Sequence, residues 1–454
     1  MAKEKKVQTF TIEEKLEQAL VPEGEQPYAI PENWVWVKLN SIGEIVTGAT
    51  PSKKRADYYG GNFPFFKPAD LNQGRNVYEA SDYLTTVGKG ICRIIPSQST
   101  VVCCIGTIGK CGFLMCEGTT NQQINSIIPQ INPLLVYYYC CTEMFLNQLN
   151  SVASATTISI VNKSKMSSCS FPLPPLAEQR RIVSRIESLF EKLDHARELV
   201  QSALDSFETR KASILHKAFT GELTAKWREK NGVELESWVE KRLGDCGLLE
   251  RGRSKHRPRN ASELFGGPYP FIQTGDVANA DVYITKHNQT LSEIGLNQSK
   301  LFPKGTLCIT IAANIGDVAI LSYDSCFPDS VVGFTPNEYT NSKFVYYLMN
   351  ILQKQLEAEA PATAQKNINL KVLNEITFRC PRIIEQQEIV RILDNLLEKE
   401  QQTQEQLEPI LDQIDMMKKS ILARAFRGEL GTNDPSEESA MEFLKEILVK
   451  GNQS

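Results

Sequence analysis

The chain repeats itself at a fixed distance, and that repeat constrains the fold more than any local motif. Glu178, Gln179, Ile182 and Val183 return as Glu385, Gln386, Ile389 and Val390, a spacing of 207 residues (385 − 178 = 207). Ser213-Ile214-Leu215, Ala218-Phe219 and Gly221-Glu222-Leu223 return on the same spacing as Ser420-Ile421-Leu422, Ala425-Phe426 and Gly428-Glu429-Leu430. Upstream, Trp34 and Leu39 answer to Trp238 and Leu243, and Gly60-Gly61-x-Phe63-Pro64-Phe65 answers to Gly266-Gly267-x-Tyr269-Pro270-Phe271. Two half-molecules in one chain form a pseudo-dimer, which suits a target that itself has two halves.

A chain of 454 residues has room for about three domains of ordinary size, and 41% hydrophobic residues supply the apolar material for real cores. The net charge of −4 argues against a uniformly basic coat, so nucleic-acid binding would have to come from local basic patches. The twelve cysteines include the adjacent pairs Cys103-Cys104 and Cys140-Cys141 and show no C-x-x-C spacing. With no apolar segment at the N-terminus for export, they read as reduced thiols in a cytoplasmic protein. No stretch approaches about eighteen uninterrupted apolar residues, so no membrane span is expected.

After Pro172-Leu173-Pro174-Pro175, which fixes an extended approach to a helix start, apolar residues alternate at four and three. They are Ile182, Ile186, Leu189, Leu193, Ala196, Val200, Ala203, Phe207 and Ile214, interrupted by Arg210. The second copy reads Ile389, Leu393, Leu396, Leu407, Ile410, Ile414, Met417 and Ile421, interrupted by Glu400 and Thr403. A sustained heptad predicts a coiled-coil seam. Residues 177 to 219 as helix would run roughly 65 Å, and two such apolar stripes are covered most economically by each other, antiparallel about a pseudo-twofold axis. Pro409 lies inside the second helix and predicts a kink or break close to Glu408.

Around the helices lie two blocks, 31–174 and 236–380, rich in short β-like runs such as Ser99 to Gly106 and Gly305 to Ile311. Short helical stretches around Val136 to Leu149 and Phe344 to Leu356 make the class α+β. The remaining segments are an N-terminal stretch 1–30, a first spacer helix within 175–222, a linker 223–235, a second spacer helix within 381–430 and an acidic tail 431–454. That tail reads as a flexible segment that docks, ending in a helix from Met441 to Val449.

Catalytic signatures are missing. Gly109-Lys110 is followed by Cys111, so there is no phosphate loop, and no G-x-G-x-x-G turn follows a strand. Asn132-Pro133-Leu134-Leu135 lacks the second proline and the aromatic of an amino-methyltransferase motif. The four histidines, His195, His216, His256 and His287, and the scattered cysteines suggest no metal site. Cations, in contrast, are concentrated. Arg251, Arg253, Lys255, Arg257 and Arg259 crowd ten residues of the second block, and Lys53, Lys54 and Arg55 hold the corresponding place in the first. Such loops neutralise phosphates and reach guanine edges, although an isolated run of this kind is more often a solvated turn.

The segment Pro172 to Val183, its second copy Ile384-Glu385-Gln386-Gln387-Glu388-Ile389-Val390, and the helix endings Ile214 to Leu223 and Ile421 to Leu430 resemble the specificity subunit of type I restriction-modification systems. The resemblance covers almost the whole chain. The second copy departs from the motif, reading Cys380-Pro381-Arg382-Ile383 where the first is proline-rich. The resemblance implies two target recognition domains, each reading half of a bipartite site in double-stranded DNA, and an antiparallel helical spacer that docks two modification subunits. Those subunits would carry S-adenosylmethionine and methylate adenine. Separate restriction subunits, motor and nuclease in one, would use ATP and Mg, and this chain would hold no cofactor and catalyse nothing. The scaffold repeats but the loops Ala49 to Tyr59 and Arg251 to Asn260 do not, so the half-sites should differ. The competing readings are a coiled-coil scaffold that never touches DNA and a self-sufficient enzyme, the latter disfavoured by the missing cofactor motifs.

Overall fold

The computed structural model describes residues 11–153, 159–253, 261–312, 315–359 and 368–450. The chain divides into two compact units, the first of which is discontinuous in sequence. The first joins residues 1–200 to residues 409–454, and the second is residues 201–408.

In the first unit, four antiparallel strands lie in the order Gly43–Thr47, Ile124–Pro129, Thr100–Cys103, Cys111–Phe113. A smaller sheet places Tyr59–Phe66 between Asp82–Leu84 and Thr119–Thr120. The second unit repeats the plan. Its larger sheet runs Gly247–Arg251, Val331–Pro336, Leu307–Thr310, Val318–Leu321, Tyr283–Ile284, and its smaller one centres on Phe265–Phe271. A two-stranded ribbon fastens each block to its spacer helix: Val35–Lys38 pairs with Ser170–Leu173, and Val239–Arg242 with Thr377–Cys380. The mixed class and the internal repeat stand as the sequence predicts, while the helix expected over Val136 to Leu149 is two, Pro133–Cys140 and Glu143–Val152, because Thr142 caps a new start by accepting from the Phe145 amide at 3.1 Å.

The repeated Glu-Gln pair opens each spacer helix. Leu176–Asp205 starts one residue after Pro175, and Ile383–Ala425 starts two after Pro381. Gln179 donates to the Pro174 carbonyl at 3.0 Å and accepts from the Asn132 amide at 3.2 Å. Gln386 donates to the Pro381 carbonyl at 2.9 Å and accepts from the Asn341 amide at 2.9 Å. The single proline of the second copy therefore suffices for the same clamp. Glu178 accepts from the Trp34 indole at 2.7 Å, Thr432 and Asn433; Glu385 accepts from the Trp238 indole at 2.9 Å, Thr224 and Arg228. Buried carboxylates demand such donors. About two and a half helical turns on, Glu187 takes Arg75, and at the same repeat position Asp394 takes Lys343 at 2.8 Å and the Tyr347 hydroxyl at 2.5 Å.

The helices pair antiparallel inside each unit. In the first unit Arg197 bonds Asp415 and Lys418 bonds Asp194, over a core in which Ile182 and Ile186 meet Leu422 and Phe426. In the second, Leu215 and Ala218 share a core with Ile389 and Leu393, and the two charged interruptions of the heptads meet each other, Arg210 Nε to Glu400 at 2.8 Å. Of the seam residues, Ile182, Ile186, Phe207, Ile389, Leu393 and Ile414 are buried, whereas Leu189, Leu193, Ala196, Val200, Ala203, Ile214, Leu396, Leu407, Ile410 and Ile421 are half-buried. Met417 is exposed instead of in the seam, and the stem of Lys418 takes its place, with its ammonium 5.1 Å from the Phe190 ring.

Of the kink or break expected close to Glu408, the break does not occur. Ile383–Ala425 passes through Pro409 as one helix, and the interruption falls in the first helix instead, between Asp205 and Phe207. Ser206 stands at the interruption, and its hydroxyl donates to the Ala203 carbonyl at 2.7 Å. The tail is anchored to its own unit. Arg181 grips Glu437 at 2.7 Å, the Ala440 amide donates to the Asn33 carbonyl at 2.9 Å, and helix Ala440–Lys450 packs beside helix Ile12–Ala19.

Candidate nucleic-acid interface

Each block carries a basic segment at the end of a strand, and a glycine stands where the chain leaves that strand. In the first unit, strand Gly43–Thr47 ends at Gly48, whose amide donates to the Ile124 carbonyl at 3.0 Å, and Ala49 follows with a bond to the Thr120 carbonyl at 2.9 Å. A β-carbon at Gly48 would collide with the carbonyl oxygens of Thr120 and Asn121. In the second unit Gly252 donates to the Val331 carbonyl at 3.0 Å, and a β-carbon there would collide with the Phe327 and Pro328 carbonyls. Only glycine permits this close approach of the two loops.

In the first unit the approach brings loop 49–58 against the loop 121–123. Residues 52–57 are exposed, so Lys53, Lys54 and Arg55 all face solvent. Arg55 is held in place: it donates to both oxygens of Asp57, at 2.8 and 2.7 Å, and stacks 4.8 Å over the Tyr58 ring. The guanidinium hydrogen bonds hold the Asp57 carboxyl below its ordinary range and push Arg55 up. Arg93 adds a cation that sequence reasoning missed, donating to the Thr47 carbonyl at 2.6 Å at the root of the same loop.

In the second unit, Arg251 closes its strand against Val332 and is exposed, and Arg253 is exposed one residue past Gly252 with its amide bonded to Phe327. Lys255, Arg257 and Arg259 lie outside the described residues. Lys300 stands where Arg93 stands in the repeat (300 − 93 = 207) and bonds Glu250 on the strand that leads to Gly252. Spacing alone could have found that Arg93–Lys300 pair.

All twelve cysteines are free, and burial pushes Cys104 up to about 12. Among the described residues no helix is long and apolar enough to cross a membrane.

Comparisons with known proteins follow the same division. The family described as "Type I restriction modification DNA specificity domain" matches twice, over residues 31–201 and 235–409. The chain is 22% identical over 420 residues to the type I restriction enzyme EcoBI specificity subunit of Escherichia coli, covering 88% of this chain and 87% of the relative. To the HindI specificity subunit of Haemophilus influenzae it is 30% identical over 168 residues, 36% of this chain and 37% of the other. The fold is similar to that of the HsdS subunit from Thermoanaerobacter tengcongensis, with a TM-score of 0.64 at 21% identity, covering 89% of this chain and 99% of that one.

Proposed function

The chain belongs to the type I restriction-modification DNA specificity family, and from that premise we propose that it selects the DNA sequence on which a restriction-modification complex acts. Each unit reads one half of a bipartite duplex site. The observation that carries this reading is the paired loop: one scaffold, repeated, presents cations at the same Gly48 and Gly252 junctions on loops of different sequence. A shared frame with different contents suits two half-sites that share a backbone geometry and differ in bases.

The chemistry belongs to partners. Two modification subunits would carry S-adenosylmethionine, and restriction subunits would use ATP and Mg, all in the cytoplasm. The spacer helices offer the modification subunits a surface that includes Leu199, Met416 and Met417, apolar side chains exposed on the helix pair of the first unit.

Binding to duplex DNA across a salt series tests the reading. An alanine variant of Lys53, Lys54, Arg253, Lys255, Arg257 and Arg259 should weaken binding to every sequence and flatten the slope of log K against log salt by about 0.9 per lost phosphate contact. A coiled-coil scaffold with no DNA role would give a wild-type chain without sequence-selective, salt-dependent binding. An unchanged slope in the variant would remove the basic loops from the interface.

A further inference from the structure

The junction at Gly48 brings more than cations to the candidate interface. The loop that meets Gly48 and Thr50, at the start of the basic loop, is Asn121-Gln122-Gln123, three amides in a row. Two of them are occupied with each other: Asn121 is buried, donates from Nδ2 to Gln123 Oε1 at 2.9 Å, and accepts from the Gln123 amide at 3.1 Å. That closed ring stiffens the turn and leaves Gln122 as the amide that faces outward. Gln122 is exposed, and its Oε1 accepts from the Thr50 hydroxyl on the basic loop.

The Thr50 bond fixes which way the amide points. With the hydroxyl on one lone pair of Oε1, the second lone pair and both Nε2 protons remain available on the solvent side. An acceptor beside a donor in one plane is the complement of adenine's major-groove edge, which offers the N6 amino group beside N7. Cations on the adjoining basic loop would supply the phosphate contacts that hold such an amide at the groove. The second unit lacks this device: its strand-to-loop junction reads Phe327-Pro328-Asp329-Ser330, with no amide among the four.

We propose that Gln122, oriented by Thr50, is the adenine-reading side chain of the first unit. The proposal rests on the DNA-reading function above and adds a specificity-determining residue to it. Thr50 is the positioning residue. The equivalent place in the second unit reads its half-site by other means.

The test uses the full chain assembled with its modification subunits, with the methylated site read by sequencing and affinity measured on synthetic duplexes. Gln122→Ala should relax one A·T position in one half-site, leave the other half-site intact, and weaken binding to the original site about 5- to 150-fold while non-specific binding stays the same. Gln122→Glu, which keeps the side-chain volume but removes the donor, should lose adenine at that same position. Thr50→Val should relax the same position to a smaller degree. Replacing that adenine by 7-deazaadenine removes the N7 acceptor, so it should weaken the wild-type complex and add nothing to Gln122→Ala. An unchanged recognition sequence in the alanine and glutamate variants would overturn the proposal, as would relaxation at a G·C position or additive losses with the deaza base. Should the wild-type complex show no sequence-selective binding at all, the function itself fails. A selective wild type with indifferent variants sinks only Gln122.

Discussion

Glu178 and Glu385 occupy one position in the repeat, yet removing them should not cost the same. Glu178 is satisfied by neutral donors, the Trp34 indole, Thr432 and Asn433, so Glu178→Ala leaves polar groups unpaired at a cost of about 1–3 kcal/mol. Glu385 also neutralises Arg228, whose side chain is 9% exposed and stacks near the Trp238 ring. Glu385→Ala strands a buried guanidinium and should cost about 3–5 kcal/mol. Denaturant titration followed by tryptophan fluorescence would measure both, since each carboxylate bonds an indole, and equal losses would contradict the assignment. The Glu-Gln motif was plain in the sequence as a repeat. Its work as a clamp was not, because its partners lie 144 and 254 residues away for Glu178 and pairing at such distances leaves no periodic trace. Gln122 was equally hidden: an exposed glutamine in a polar turn has no signature until Gly48 shows which loop it faces.

Among the elements, the spacer helices were legible because a heptad is a long, redundant signal, and the short strands were legible only as β-rich blocks because two to eight residues carry little periodicity. The helix break was misplaced for a physical reason. Proline removes one donor and a helix can absorb that, whereas Ser206, where the first helix is interrupted, carries no strong breaker signal. The continuity of Ile383–Ala425 through an exposed Pro409 gives a prediction. Pro409→Ala restores the missing amide and relieves the ring's contact with the preceding turn, so the free energy of unfolding should rise by up to about 3 kcal/mol. The denaturant midpoint reports the change. A midpoint that stays or falls would mean that the proline's conformation is itself needed there.

At the level of the whole molecule, each unit has its own cores and its own half of the helix pair, so reading and spacing should separate experimentally. Exchanging residues 236–380 for the equivalent block of a relative should change one half-site and leave the other as it was. If both change, the blocks are not independent readers. Spacing is then the property of the helices, and the clean manipulation is one heptad in each, after Val200 in the first and before Pro409 in the second. Seven residues keep the seam in register, whereas four would introduce a stutter that locally unwinds the pair. Both points fall where the chain passes from one unit to the other, a few residues from the paired Arg197 and Asp415, so the antiparallel partners are lengthened together. Each helix gains about 10 Å, and at about 3.4 Å per base pair the unread gap between half-sites should grow by about three base pairs. The half-site sequences themselves should not change, although rotation about the duplex can lower affinity. Sequencing of methylated sites reads the gap directly. A folded variant that methylates at the original spacing would show that something other than the helices sets it.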